Sequence, residues 1–150
     1  MRIQTQPNGW SCLPVAFAMV LDVPYQEILG FCGHDGSEIM FPDSADPHCR
    51  RAFHAQEMLT FALHSGRFVT PIEMRPNSMN KFGSTFVLPE QGLYIRDYMS
   101  LYTGVIVGYM RGNPHAVAWD GNLIYDPNGT SYKMSDKIST EIFFACNSNM

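Results

Sequence analysis

Two short apolar runs flank an Asp-Gly dipeptide in the second half of the chain, within residues 115–126. Asp-Gly between extended runs is a strong hairpin signal, because both residues tolerate positive φ. With Asp120 and Gly121 as the turn, His115 lies directly opposite Asp126 in the adjacent strand. Opposed residues share one face of a sheet, with Cβ atoms about 4.5–5.5 Å apart. The pattern therefore predicts an imidazole beside a carboxylate.

A second register of the same hairpin is open. If Gly121 and Asn122 form the turn instead, Asp126 lies opposite Val117 and diagonal to His115, on the same face. The imidazole and the carboxylate are then farther apart but can still meet. An ordinary hairpin that ends in two exposed polar residues would have the same pattern, so the hairpin by itself does not establish a function.

The periodicity changes from helical to extended along the chain. Helices are predicted over Leu13–Leu21, Pro24–Phe31 and Ala52–His64. The first is apolar on all sides, which is typical of a helix inside a core. Strands are predicted over Leu93–Ile95, Gly104–Met110, Ala116–Trp119, Leu123–Tyr125 and Glu141–Ala145, and a short extended piece around 86–88. This order predicts an α+β fold, with N-terminal helices packed on a C-terminal antiparallel sheet.

Composition limits the class of protein. The 150 residues are 45% hydrophobic and 16% charged, which predicts one globular domain over residues 1–150. A net charge of −4 gives no electrostatic reason to expect nucleic acid or an anionic membrane as a partner. The chain starts without a secretory signal, so we expect a cytoplasmic protein with four free thiols. The sequence leaves the oligomeric state open.

Cys12 is the candidate nucleophile. It begins the buried helix, directly after the segment Gln6-Pro-Asn-Gly-Trp-Ser. A helix N-terminus favours a thiolate, and its backbone N–H groups can hold a developing oxyanion. Gln6 could fold back as a second oxyanion donor. The alternative is that Cys12 is simply a small buried hydrophobe, because cysteine is among the most buried residue types.

Taken together, Gln6, the run Trp10-Ser-Cys12, and then His115 and Asp126 in that order resemble the papain superfamily of cysteine peptidases. The stretch Pro-His-Ala-Val-Ala-Trp-Asp-Gly, followed by Ile-Tyr-Asp-Pro-Asn-Gly, is most similar to the bacteriocin-processing (double-glycine leader) peptidase branch. These motifs are confined to residues 6–12 and 115–129.

The resemblance implies a papain-like fold and a cysteine-dependent hydrolase without a cofactor. Cys12 would be the nucleophile, His115 the base and then the acid, Asp126 the residue that orients His115, and Gln6 an oxyanion donor. The expected substrate is a peptide or protein, cleaved at a peptide, isopeptide or amide bond through a thioester. A deamidase or an acyl transferase would need the same groups, and a catalytically silent binding protein could retain them.

Two further sets of residues have open roles. Trp10 and Trp119 could wall a substrate cleft, or either could belong to the core. A zinc site is a separate hypothesis, because one loop region offers four soft ligands. They are Cys32, His34, His48 and Cys49. The adjacent pair at 48 and 49 makes convergence on one ion difficult.

Overall fold

The computed structural model describes residues 1–43, 49–73, 99–135 and 137–149. Within these ranges the chain forms three helices and one six-stranded antiparallel sheet. The helices are α1 (Cys12–Leu21), α2 (Tyr25–Cys32) and α3 (Ala55–His64). The strands are β1 (Thr70–Glu73), β2 (Tyr102–Met110), β3 (Asn113–Trp119), β4 (Leu123–Asp126), β5 (Thr130–Lys133) and β6 (Ile142–Ser148). The predicted α+β class is confirmed.

The first helix lies inside the core, as its apolar sequence predicts. Every residue from Pro14 to Leu21 is buried. α1 packs against one face of the sheet, where Ala116 and Ala118 of β3 and Val105 of β2 belong to the same cluster. Because side chains alternate along a strand, the other face carries a second apolar cluster. Its buried members include Ile106, Val117, Trp119, Ile124 and Phe143.

The strand order is β1-β6-β2-β3-β4-β5. The central strands were predicted with bounds close to those observed, whereas β1 and β5, the two edges, were not predicted. The predicted strand Leu93–Ile95 and the extended piece near 86–88 lie outside the described residues. Helix α3 starts later than the predicted Ala52, because that residue has a φ of 50° and His54 provides the N-cap.

The β3–β4 hairpin has the second of the two registers. Ala118 pairs with Tyr125 and Trp119 with Ile124, so Gly121 and the following asparagine form the turn. The preferred Asp120–Gly121 turn was therefore wrong. The reason is local: Asp120 Oδ1 accepts the backbone N–H groups of residues 122 and 123 at 2.8 and 2.7 Å. Asp120 thereby closes the turn from its first position, while Gly121 has a φ of 101°.

The segment before α1 connects the C-terminal end of that helix to the β4–β5 turn. Gln4 Nε2 donates to the Val23 carbonyl at 2.7 Å, and Gln4 Oε1 accepts the Tyr25 N–H at 2.9 Å. Two residues later, the Gln6 N–H donates to the Pro127 carbonyl at 2.7 Å. The chain thus reaches Cys12 from the direction of β4.

No single helix in the described part of the chain is both long enough and apolar enough to cross a bilayer. Helices α1 and α2 pass that test only together, as a pair bent by 119°. All four cysteines are free thiols, as expected.

Candidate active site

The N-terminus of α1 presents Cys12 at its first position. Ser11 precedes it as N-cap but makes no side-chain capping bond, and the first turn contains no acidic residue. The first backbone N–H groups of a helix lack intrahelical acceptors and carry the positive end of its dipole. The free N–H groups of this helix start, to which Pro14 contributes none, therefore lie in the same turn as the half-buried Cys12, and that turn has no carboxylate to neutralise them.

Asn8 orders the segment that leads to Cys12. Its Oδ1 accepts the Ser11 hydroxyl at 2.6 Å and the Trp10 N–H at 3.1 Å. Ser11 is fully buried, so this bond satisfies a hydroxyl that has no access to water. The turn from Asn8 to Ser11 is thus fixed by side-chain hydrogen bonds immediately before Cys12.

His115 and Asp126 form the pair that the hairpin predicted. His115 Nε2 lies 2.8 Å from Asp126 Oδ1. A carboxylate only accepts hydrogen bonds, so Nε2 carries the proton and Nδ1 remains for another partner. The Cys12 side chain lies close enough to His115 to be one of the causes of its raised pKa. His115 therefore has Asp126 as its hydrogen-bond partner and Cys12 as a neighbour.

The Asp126 carboxylate is fully buried, and both of its oxygens accept hydrogen bonds. Besides His115, its Oδ1 accepts the Asn128 N–H at 3.0 Å, and its Oδ2 accepts the Tyr132 hydroxyl at 2.5 Å. Burial alone would raise the pKa of Asp126, but the hydrogen bonds from His115, Tyr132 and Asn128 hold it below its ordinary range. The group therefore stays ionised and fixed in orientation.

These neighbours change the basicity of the imidazole. The hydrogen bond to Asp126 is the largest cause and the interaction with Cys12 the next, and they raise the pKa of His115 from 6.5 to about 9. Burial opposes this shift but is outweighed, and the side chain stays 18% exposed. With a pKa of about 9 the ring is an imidazolium at neutral pH, so a positive charge lies beside Cys12.

Gln6 is anchored near this group. Its backbone bond to Pro127 holds it next to the residue that follows Asp126. Its Oε1 is buried and has no hydrogen-bond partner among the described residues. A buried amide oxygen without a partner is costly to folding, which is the kind of cost that functional sites carry.

The two tryptophans have different environments. Trp10 is half-buried two residues before the nucleophile, with Arg50 stacked over its ring at 4.2 Å and its indole N–H donated to the Asp35 carbonyl at 3.0 Å. Trp119 is 7% exposed, lies in the second core cluster and donates its indole N–H to the Met99 carbonyl at 2.9 Å. Trp10 precedes Cys12 in the sequence and packs against Arg50, whereas Trp119 is a core residue and not a cleft wall.

A cleft of about 630 Å³ borders the His115–Asp126 pair. Its walls include His115 and Asp126, but not Cys12. The remaining lining comes from the β2–β3 hairpin, from the β4–β5 hairpin and from the loop that follows β5. His115 therefore borders an open space large enough for several side chains.

The proposed zinc ligands are only partly brought together. Cys32 and His34 lie with Glu57, all three ligand atoms within 4.8 Å of one another, whereas Cys49 is exposed elsewhere. His48 lies outside the described residues. Glu57 Oε2 is 2.6 Å from His34 Nε2, and the Gly36 N–H donates to His34 Nδ1 at 3.0 Å.

The surroundings of Cys32 in this group also determine the protonation of its thiol. Burial is the largest effect and the charge of Glu57 the second, and they raise the pKa of Cys32 to about 11. Cys32 is therefore a protonated thiol at neutral pH and unsuited to act as a nucleophile. The contacts within the group already tie the loop after α2 to α3.

The sequence did not single out Tyr132 or Asn8. The signal for Tyr132 was present in Asn128-Gly129, a dipeptide typical of tight hairpins, which joins β4 to β5 and returns the chain past Asp126. Asn8 belongs to a Pro-Asn-Gly segment typical of side-chain-stabilised turns.

No family model matches the chain, and no curated protein matches it either. The function is therefore inferred from the residues and distances described above.

Proposed function

We propose that this chain is a cysteine-dependent hydrolase with a papain-like arrangement of helix and sheet, acting on peptide or other amide bonds. The observation that carries the proposal is the position of His115, which is hydrogen-bonded to buried Asp126 and is close enough to Cys12 for that side chain to raise its pKa as well. A nucleophile, a base and an orienting carboxylate in contact are the parts that acyl transfer requires.

Each side chain then has a defined role. The Cys12 thiolate attacks the substrate carbonyl carbon, and the free N–H groups at the start of α1 stabilise the resulting oxyanion. His115 gives its proton to the leaving nitrogen, the C–N bond breaks, and a thioester remains on Cys12. His115 then takes a proton from water, which attacks the thioester and releases the acid. Asp126 keeps the ring oriented throughout.

Other amide chemistry on the same residues would differ only in the acceptor or in the substrate. A deamidase attacks a side-chain amide, and an acyl transferase uses an amine in place of water. Peptide cleavage is favoured here because the open cleft beside His115 can hold a chain segment on the leaving-group side. Four free thiols support a reducing compartment such as the cytoplasm.

The first test is the rate of iodoacetamide alkylation at each cysteine, read by peptide mass spectrometry near pH 6. Cys49 is exposed and provides the control within the same chain. Cys12 should react well ahead of Cys49, and this advantage should disappear in His115→Ala. Turnover of a degenerate quenched-fluorescent peptide library should be lost in Cys12→Ala and kept in Cys49→Ala. If Cys12 reacts no faster than Cys49 and no library member is cleaved, the proposal fails.

A further inference from the structure

The cleft beside His115 is bordered by positive charge. Arg111, Lys133 and Lys137 line it, and all three side chains are exposed. None of them forms an ion pair with a carboxylate in the part of the chain that the structure describes. Asp126, the acidic residue in the lining, is already bonded to His115 and Tyr132. Among the described residues, the cleft thus offers three cations without a carboxylate partner, around a space whose described lining has no free carboxylate.

The cations are held by a defined framework. Arg111 occupies the two-residue β2–β3 turn, where its φ is 51° and that of Gly112 is 79°. Such paired positive φ values match the twist of the flanking strands and make a tight turn. Lys133 ends β5, one residue beyond the tyrosine that bonds Asp126. These two charges therefore project from regular hairpins.

The loop that carries Lys137 is fastened to β2. Ser139 donates its N–H to the Tyr109 carbonyl at 2.9 Å, and its hydroxyl oxygen accepts the Tyr109 N–H at 3.0 Å. Its carbonyl oxygen lies where a Cβ at Gly108 would be only 1.8 Å away, so any larger residue there would displace the loop. The third cation is therefore also positioned by backbone contacts.

We infer that this cleft binds the part of a peptide substrate on the C-terminal side of the cleaved bond, and that this part is acidic. The assignment of the cleft to the C-terminal side of the cleaved bond rests on the proposed function. In the proposed reaction His115 protonates the leaving nitrogen, so the segment attached to that nitrogen lies on the His115 side of Cys12. The cleft opens on that side. Carboxylates in the segment would pair with the three cations, for which the described part of the chain supplies no carboxylate.

Binding can be tested without catalysis. Cys12→Ala protein is titrated by fluorescence anisotropy with a labelled hexapeptide of alternating Ala and Glu that has a free amino terminus. A peptide with Gln in place of Glu serves as the neutral partner. The acidic peptide should bind roughly tenfold tighter, and the difference should shrink as salt rises from about 20 to about 300 mM, because exposed charges are screened.

Matched variants locate the effect. Arg111→Met, Lys133→Met and Lys137→Met should each weaken binding of the acidic peptide by roughly two- to fivefold. Lys133→Arg should retain it. Arg2→Met, an exposed cation paired with Asp22 at the other end of α1, should change nothing. Equal binding of both peptides, or an equal loss in Arg2→Met, would overturn the inference.

Failure of this inference is separable from failure of the proposed function. If acidic peptides bind as expected but no peptide is cleaved by the unmodified chain, the cleft assignment stands and the hydrolase proposal fails. If peptides are cleaved with no preference for acidic residues after the cut, only the cleft assignment fails.

Discussion

The hydroxyl of Tyr132 donates to Asp126 Oδ2 at 2.5 Å, on the carboxylate oxygen that His115 leaves free. Burial next to the Asp126 charge raises the pKa of Tyr132, so the phenol remains a donor at every pH at which the protein would be assayed. The edge strand β5 thus completes the shell of hydrogen bonds around a carboxylate that has no access to water.

Tyr132→Phe should destabilise the fold by about 1.5–3 kcal/mol, since a buried charged acceptor loses one donor. Turnover should fall less than in His115→Ala, because Asp126 keeps its bond to the ring. Urea unfolding and peptide turnover measure the two effects. Tyr109→Phe, on an exposed position of β2, is the control and should alter neither. A Tyr132→Phe protein as stable as the parent would contradict this assignment.

The raised pKa of His115 predicts a loss of folding stability at alkaline pH. Folding raises its pKa from 6.5 to about 9, so its pairing stabilises the fold fully below pH 6.5. That contribution is lost as the pH rises through about 9. Its size is on the order of 1–3 kcal/mol. Urea unfolding between about pH 6 and pH 10 should therefore have a decline that is absent in His115→Gln. The same decline in both proteins would assign it to other groups.

Asp126→Asn should move the alkaline limit of activity. In the unmodified chain the rate should fall as the pH passes about 9, where His115 loses the proton that it gives to the leaving nitrogen. The bond to Asp126 is the largest cause of that raised pKa, so its neutral replacement should shift the limit to lower pH. A pH profile of kcat/KM for both proteins measures the shift. An unchanged limit would mean that another group controls it.

Gln6→Leu and Gln4→Leu provide a matched pair of variants. Gln6→Leu removes a buried oxygen that has no partner, so the free energy of unfolding should stay constant or rise. Turnover should fall about 10²–10³-fold if its amide is an oxyanion donor. Gln4→Leu breaks two hydrogen bonds and should cost about 1–2 kcal/mol of stability. A Gln6→Leu protein of full activity would remove Gln6 from the mechanism.

Glu57→Gln should make the Cys32 thiol more reactive. The charge of Glu57 is one cause of the raised pKa of Cys32, so its removal lowers that pKa and increases the thiolate fraction at about pH 9. Alkylation of Cys32 should accelerate, as measured by peptide mass spectrometry. Glu38→Gln is the control, because Glu38 is exposed and lies beside Arg51. An unchanged Cys32 rate would show that burial alone controls the thiol.

The sequence was most informative at the centre of the sheet. The helix that became α1 and the strands that became β2, β3 and β4 carry apolar patterns that the core requires, so their positions were predicted within a few residues. The two strands that were missed are the edges. β1 contains Pro71, which cannot donate to a ladder, and β5 is mostly exposed, so neither has the alternation of a half-buried strand.

The candidate site was likewise predicted only in part. Cys12 and the His115–Asp126 pair were predicted because a helix start and a hairpin are local features. The contact of Glu57 with His34 was not, since it joins segments 23 residues apart. The contacts of Asn8 and Tyr132 are local, and their turn signals were present but were not used. The register of the hairpin was settled by the side chain of Asp120, an interaction that propensity alone does not encode.

The short connection from Gln6 to Pro127 has a consequence for the nascent chain. A ribosome releases Cys12 long before it releases the strands that carry His115 and Asp126, and long-range pairings form late in folding. In the folded protein the N-terminal segment that leads to Cys12 is closed against the β4–β5 turn. A partly synthesised chain would therefore lack the assembled group of Cys12, His115 and Asp126.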